Sequence, residues 1–445
     1  MISQLNKLIL TYFQAYCSKG KVCIGLKKTN HHKIDVDIPV RENFDFSEAL
    51  DSVYPLTEMI FSYLDYKSLQ TVGQVKKSWQ ITANNILEKR NKVSWITVFR
   101  KKRLCYVHDS DNYHNHNTAA SIILFNCSVI SLSDSLCCHE NLTQKKIKFL
   151  DFISNQVVPH GTDYCIMGCS GVESLLSKKI VYKSSVRLFD GCFIPPIPNV
   201  RISMFNVNPQ NMNDKYIRPN SEKLKCLLLF SKIDLEDGIF AILDQLIPEG
   251  GCRSVALGGG IVRKTVQTNV SQKEGKCLCI AFTQNICTES DFNASSVVIQ
   301  GDDLSPREFE AHLLKFKNKI VVRSNSLAFR ICCSAKTQKN QESRIFNEIF
   351  PDTPLLGLEA EGEFGWNSHP QKNKEINCHK QNLLEPEDEV RRVYHNNCSN
   401  DSDDGFLDEL QNRRTKKRIG SYPRVQHQWT TVIVFITWGQ LVDCK

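Results

Sequence analysis

The spacing of apolar residues between positions 51 and 95 predicts a group of short helices. The apolar positions recur every three or four residues, which places them on one face of each helix. Pro55 suits a first helical turn, and Asp65 suits the N-cap of a second helix. The positions concerned are Val53, Leu56, Ile60, Leu64, Leu69, Val72, Val75, Trp79 and Ile86.

From about residue 119 onward, short apolar runs of strand length alternate with helical stretches. Helices are predicted over 236–246, 305–315 and 339–350, and Ser305-Pro306 is a typical helix start. Strands alternating with helices predict a larger mixed α/β domain, and the chain as a whole is assigned to the α+β class. The predicted strands cover residues 122–125, 165–167, 186–189, 201–205, 226–230, 254–257, 278–282, 297–299, 326–332 and 429–438.

The segment after about residue 370 has a different composition, with acidic and basic runs and few large apolar residues. Such a composition favours a disordered insertion. The predicted organisation is a poorly ordered lead-in over 1–45, a helical domain over 46–98, two parts of the α/β domain over 103–250 and 251–370, the insertion over 371–428, and a closing strand and tail over 429–445.

Composition narrows the class of protein. The net charge of +8 is small for 445 residues, so a nucleic-acid partner is not expected; the basic run from Arg413 to Arg418 is interpreted as a solvated loop or a nuclear-import signal. The 19 cysteines lack a disulfide framework and are interpreted as reduced thiols. The most apolar run, 429–438, is shorter than the roughly 20 residues of a spanning helix, so no membrane partner is expected.

The helical segment resembles an F-box. The run Ile60-Phe61-Ser62-Tyr63-Leu64-Asp65 matches that family's apolar-Ser-Tyr-Leu-Asp core, and Leu69, Val72, Val75 and Trp79 fall at its later apolar positions. Ser52-Val53 stand where the family has Leu-Pro. The resemblance implies docking to the Skp adaptor of a cullin-RING (SCF) ubiquitin ligase. The implied adaptor-binding residues are Val53, Leu56, Ile60, Phe61, Leu64, Leu69 and Val72.

The α/β segment resembles a FIST domain. Cys333, at a predicted strand end, precedes a helix, then Phe350-Pro351-Asp352-Thr353-Pro354-Leu355, then the Gly-rich stretch 361–365. Together the two domains resemble the F-box only protein 22 family, in which a FIST domain follows an F-box. In that family a Gly-Arg pair follows the cysteine, where this chain has 334–336. The resemblance offers Cys333, Gly362, Glu363 and Gly365 as candidates for binding a substrate or ligand.

This resemblance implies a substrate receptor of an SCF ubiquitin ligase, with protein targets in cytoplasm and nucleus, no cofactor and no catalytic residue of its own. Two alternatives are a small-ligand sensor in which the helices form a lid, and a hydrolase or transferase that uses Cys333 as a nucleophile. Exposure of the predicted anchors would favour the receptor, and their packing into the α/β core would favour the lid.

Three further motifs are assigned structural or solvated roles. Cys378, His379, His395 and Cys398 could be combined into a zinc site, but their spacing matches no common pattern. The Gly258-Gly259-Gly260 run is interpreted as a turn, since the rest of a dinucleotide fingerprint is absent. Glu361 and Glu363 could serve as an acid-base pair, but a Gly-rich turn predicts that they are solvated.

Overall fold

The fold is described from a computed structural model. The account covers the residues of the chain in these ranges: 54–62, 64, 66–90, 92–101, 104–109, 122–133, 135–140, 143–158, 162–176, 186–208, 221–235, 238–247, 254–267, 276–286, 291–337, 339–368 and 422–442. The predicted lead-in over 1–45, the four candidate zinc ligands and the basic run at 413–418 lie outside these ranges.

Three helices open the described part of the chain: α1 (Tyr54–Phe61), α2 (Tyr66–Gly73) and α3 (Lys77–Arg90). Their apolar faces meet each other. Phe61 is fully buried, and its ring lies edge-on to that of Trp79 with centroids 5.3 Å apart. These helices therefore have a small core of their own, as the apolar spacing predicts.

The strands that follow form three large sheets and one two-stranded ribbon, β4–β5. In order across each sheet, sheet I is β11-β6-β3-β7-β1-β2, sheet II is β17-β16-β10-β9-β12-β8, and sheet III is β13-β18-β14-β15. The strands are β1 (Ser94–Lys101), β2 (Leu104–Asp109), β3 (Ile122–Ser128), β4 (Ser135–Glu140), β5 (Thr143–Lys148), β6 (Tyr164–Cys169), β7 (Val186–Ile194), β8 (Val200–Val207), β9 (Glu222–Ser231), β10 (Ala256–Ile261), β11 (Lys264–Gln267), β12 (Cys277–Asn285), β13 (Phe292–Gln300), β14 (Arg323–Cys333), β15 (Leu355–Ala360), β16 (Glu363–Gly365), β17 (Gln426–His427) and β18 (Thr430–Leu441).

The three sheets share one apolar core, to which Leu124 of sheet I, Leu228 of sheet II and Val434 of sheet III all belong. Each sheet has a second apolar cluster to which helices contribute. The helices are α4 (Val129–Ser133), α5 (Phe149–Phe152) with a one-turn π-helix (Ile153–Val157), α6 (Gly238–Leu246), α7 (Pro306–Lys317) and α8 (Lys339–Ile349). The described structure is thus mixed α/β, as predicted.

The predicted strands and helices of the α/β domain are largely confirmed. All ten predicted runs lie in or overlap strands, and the three predicted helices are α6, α7 and α8. Ser305 caps α7 in a capping box with Glu308, the arrangement that its sequence predicts.

Some predicted boundaries differ from the structure. Strand β1 begins at Ser94, inside the range assigned to the helical domain, and β2 occupies 104–109, although the predicted strands begin only at residue 122. Residues 422–428 were assigned to the insertion, but Val425 and His427 are buried and β17 lies there. The predicted division at residue 250 is not a boundary between sheets, since sheet II takes strands from both sides of it.

The glycine run is a strand and not the predicted turn. Gly258, Gly259 and Gly260 form the middle of β10, which is parallel to β9 and antiparallel to β16. A side-chain carbon on Gly258 would collide with Val434 of sheet III, and one on Gly259, where φ is +149°, would collide with the Leu229 carbonyl. Glycine is needed here because the chain and the two sheets approach too closely for a larger residue.

Within the described ranges, no helix is both long enough and apolar enough to cross a lipid bilayer.

Candidate functional site

The predicted adaptor-binding residues divide into buried and partly exposed positions. Phe61, Leu69 and Val72 each have no exposed surface, because they fill the core between the three helices. Ile60 and Leu64 are half-buried. A partner that docks without opening the helices would therefore meet Ile60 and Leu64 before the other three.

Further apolar surface lies on the same group of helices and on a turn within it. Met59 on α1 is 49% exposed, Ile81 on α3 is 51% exposed, and Val75 in the turn between α2 and α3 is 37% exposed. Leu56 lies within α1, and Val53 precedes the described residues. Single exposed apolar residues are ordinary in proteins, but three of them within residues 54–90 give this small unit an apolar exterior as well as an apolar core.

A second group of polar side chains lies at one end of the two central strands of sheet III, beside β16 of sheet II. Cys333 is the last residue of β14, Glu363 the first of β16 and Thr430 the first of β18. The Cys333 thiol lies close enough to the Glu363 carboxyl to lower its pKa, although it does not reach hydrogen-bond geometry. The fold thus brings together Cys333 and Glu363, two of the sequence-predicted residues.

Glu363 is buried, contrary to the prediction of a solvated turn. Its side chain has no exposed surface, and its Oε2 accepts hydrogen bonds from the Thr430 hydroxyl at 2.7 Å and the Thr430 amide at 3.4 Å. Its Oε1 is buried without a hydrogen-bond partner. Burial raises the pKa of Glu363 to about 7, against the lowering effect of these hydrogen bonds. By contrast, Glu361 is 45% exposed and pairs with Arg263 at 2.7 Å.

The two candidate glycines pack against protein. The Gly362 carbonyl accepts a hydrogen bond from the Ile261 amide at 2.8 Å. A side-chain carbon on Gly365 would lie 2.6 Å from Val432, so Gly365 permits the close approach of β16 to β18. The close backbone approach that these two glycines permit is therefore made to neighbouring strands of this chain.

A buried ion cluster, not predicted from the sequence, lies beside Cys333. Arg330 has no exposed surface and donates to Glu342 through Nη2 at 2.7 Å and to Glu173 through Nη1 at 3.2 Å. Lys336 Nζ lies 2.6 Å from the other oxygen of Glu342 and 3.1 Å from the Thr431 hydroxyl. Burial alone would raise the pKa of Glu342, but Arg330 and Lys336 hold that pKa below its ordinary value.

This cluster ties three elements together. Arg330 also donates to the Lys339 carbonyl at 2.9 Å, which fixes the first turn of α8 against β14. The Thr431 hydroxyl donates to the Glu342 carboxylate, so the cluster also contacts β18. The sequence signal was Arg330 itself, since a charged residue in the middle of an apolar strand requires a buried partner. The sequence does not show that the partner is Glu342, in the following helix.

The space next to the cluster is small. A cavity beside Lys336 and Glu342, walled by Phe309 and Ile345, has room for about one water molecule. This volume is well below that of an ordinary small-molecule pocket. Among the described residues, no three His, Cys, Asp or Glu side chains are grouped as metal ligands.

The cysteines whose side chains are described are unpaired, as expected of reduced thiols, and buried: Cys127, Cys165, Cys169, Cys192, Cys226, Cys277, Cys279, Cys332 and Cys333. Burial raises the pKa of Cys277 to about 11 and that of Cys169 to about 12. At neutral pH these two are thiols, and a thiol is a poor nucleophile.

No protein-family model matches this chain, and a search of curated proteins finds no significant match.

Proposed function

We propose that this chain is the substrate-recognition subunit of an SCF-type E3 ubiquitin ligase. Helices α1 to α3 act as an F-box that docks the Skp adaptor, and through it the cullin-RING machinery. The FIST-like sheet domain captures target proteins for ubiquitination and proteasomal degradation, in cytoplasm and nucleus. The chain forms no bond itself but raises the concentration of target lysines near the ubiquitin-charged enzyme.

The observation that carries this proposal is the self-contained helical unit. Residues 54–90 have the F-box sequence pattern, bury Phe61, Leu69 and Val72 among themselves, and leave Met59 and Ile81 exposed. A unit of this size buries too little apolar surface to be stable alone, and a partner bound to its apolar exterior would stabilise it. An adaptor of interlocking helices is a partner of that kind.

The lid alternative receives less support. A lid must pack on the domain it covers, so residues of α1 to α3 would be expected among the clusters that fill the sheet domain. Within the described residues, none of the four clusters includes a residue of these helices. The sheet domain is joined directly to them, with Trp95 of β1 in the shared core of the sheets.

Co-purification with the Skp adaptor tests the proposal. We expect wild-type chain to retain the adaptor and the double variant Ile60→Asp/Leu64→Asp to lose it, by at least about 30-fold in affinity, since two apolar contacts would become charged. Ile286→Asp is the matched control, because Ile286 is 61% exposed in the sheet domain. Met59→Asp, on the surface of α1, is a second variant that leaves the helical core intact. Adaptor binding that survives both the double change and Met59→Asp would contradict the proposal.

A further inference from the structure

A short and strained connection joins β17 to β18. Strand β16 pairs with β17 over only two residue pairs, with Glu363 opposite His427. Trp429 follows at φ 60°, a left-handed conformation that is costly for an aromatic residue, and its side chain is 46% exposed. Such a conformation persists only where neighbouring contacts hold it.

Two contacts flank the strained residue. The Trp429 carbonyl accepts a hydrogen bond from the Gly301 amide at 3.2 Å. The next residue, Thr430, is held by its amide and hydroxyl, which both donate to Glu363 Oε2. Glu363 is thus the side chain that fixes the start of β18 immediately after Trp429.

The stability of the contact between Glu363 and Thr430 depends on whether the Glu363 carboxyl is protonated. An ionised carboxylate accepts hydrogen bonds but donates none, so Oε1 would remain a buried, unpaired charged oxygen. Leaving such a group unpaired is expensive. With a proton on Oε1, the carboxyl is neutral and Oε2 still accepts from Thr430.

The groups that face Glu363 do not compensate its charge fully. Lys336, after β14, attracts the carboxylate, but its Nζ is held by Glu342 at 2.6 Å. His427, across the ribbon, has its pKa lowered by burial, which favours the neutral ring. Strand β10 places Gly260 opposite Glu363, and β18 presents Thr430, so neither adds a charge there.

We propose that Glu363 is a proton-controlled latch, which holds the segment from His427 to Thr430 when protonated and loosens it when ionised. Because burial raises the pKa of Glu363 to about 7, the latch would open near neutral pH. The segment that it controls includes the exposed ring of Trp429. This inference is independent of the proposed ligase function.

Hydrogen exchange at the Thr430 amide tests the latch. In wild-type chain between about pH 5 and 7, we expect exchange to rise faster than the intrinsic chemical rate, by up to about tenfold per pH unit, and to level off above pH 7. The slope arises because opening releases one proton only while Glu363 is still protonated in the closed state. In Glu363→Gln, which cannot ionise, the excess pH dependence should vanish. Glu361→Gln, in the adjoining exposed turn, should behave as wild type.

An internal reference keeps the test decisive if Glu363→Gln fails to fold. Strand β12 is paired on both sides and exchanges only on global unfolding, so its corrected exchange in the same wild-type sample should be slower than that of Thr430 at every pH. A wild-type Thr430 amide whose corrected exchange does not rise with pH, or is no faster than that of β12, would overturn the latch. A variant whose corrected exchange keeps the wild-type slope would overturn it as well.

Discussion

At the scale of single residues, burial of charge is the most informative feature of the sheet domain. Glu363 and Glu361 are two residues apart in one Gly-rich stretch, yet Glu363 is fully buried and Glu361 is paired at the surface. The sequence does not predict which of the two carboxyl groups is buried. Burial of Glu363 depends on the packing of β18, which lies more than 60 residues later in the chain.

Ionisation of Glu363 should make stability depend on pH. The folded-state pKa of about 7 lies above the ordinary 4.5, so the stability contribution is complete below about pH 4.5 and is lost as pH rises through 7. The loss is on the order of 3 kcal/mol. Urea unfolding at a series of pH values should show this fall in wild type and a smaller one in Glu363→Gln. Equal pH profiles for the two proteins would contradict the assignment.

At the scale of elements, sheets II and III meet closely because β10 has no side chains in its middle. Gly259→Ala should cost more than about 3 kcal/mol, since it combines a strained φ with a collision against the Leu229 carbonyl. Gly73→Ala in α2 is the matched control. Its new carbon would sit 3.5 Å from Ala83, an ordinary contact, so stability should stay equal or rise slightly. Thermal unfolding of both variants checks the contrast.

The ion cluster joins α8 to sheet III, and its removal should be costly. Glu342→Gln leaves Arg330 and Lys336 buried with less compensation, and we expect a loss of about 3–5 kcal/mol. Glu348→Gln, in the same helix, removes an exposed carboxylate that pairs with Arg344 at 3.7 Å, and should change stability by less than about 0.5 kcal/mol. Similar losses in the two variants, measured by denaturant unfolding, would refute the structural role of the cluster.

Local patterns predicted elements better than they predicted contacts. The capping box at Ser305 and the apolar face of α6 depend on neighbours within a few residues, and both are confirmed. Gly258-Gly259-Gly260 was misassigned because glycine marks a turn or a close approach equally well, and only the position of Val434 decides between them. The Arg330–Glu342 pair likewise depends on how α8 packs, which periodicity does not reveal.

At the scale of the whole molecule, a small helical unit with its own core precedes three sheets that share another. This separation suits a receptor that binds an adaptor with one part and a target with the other. The two roles predict separable defects. Charged substitutions on α1 should abolish adaptor binding without lowering the unfolding temperature of the sheet domain, and Gly259→Ala should do the reverse.

The most direct test of the central claim is the affinity of the intact wild-type chain for the purified Skp adaptor, measured by titration calorimetry. The account predicts one-to-one binding with a Kd below about 1 μM, the range of a stable interface of ordinary size. The Ile60→Asp/Leu64→Asp variant should show no heat of binding under the same conditions. No binding by well-folded wild-type chain would contradict the receptor function and return attention to the sheet domain as a sensor.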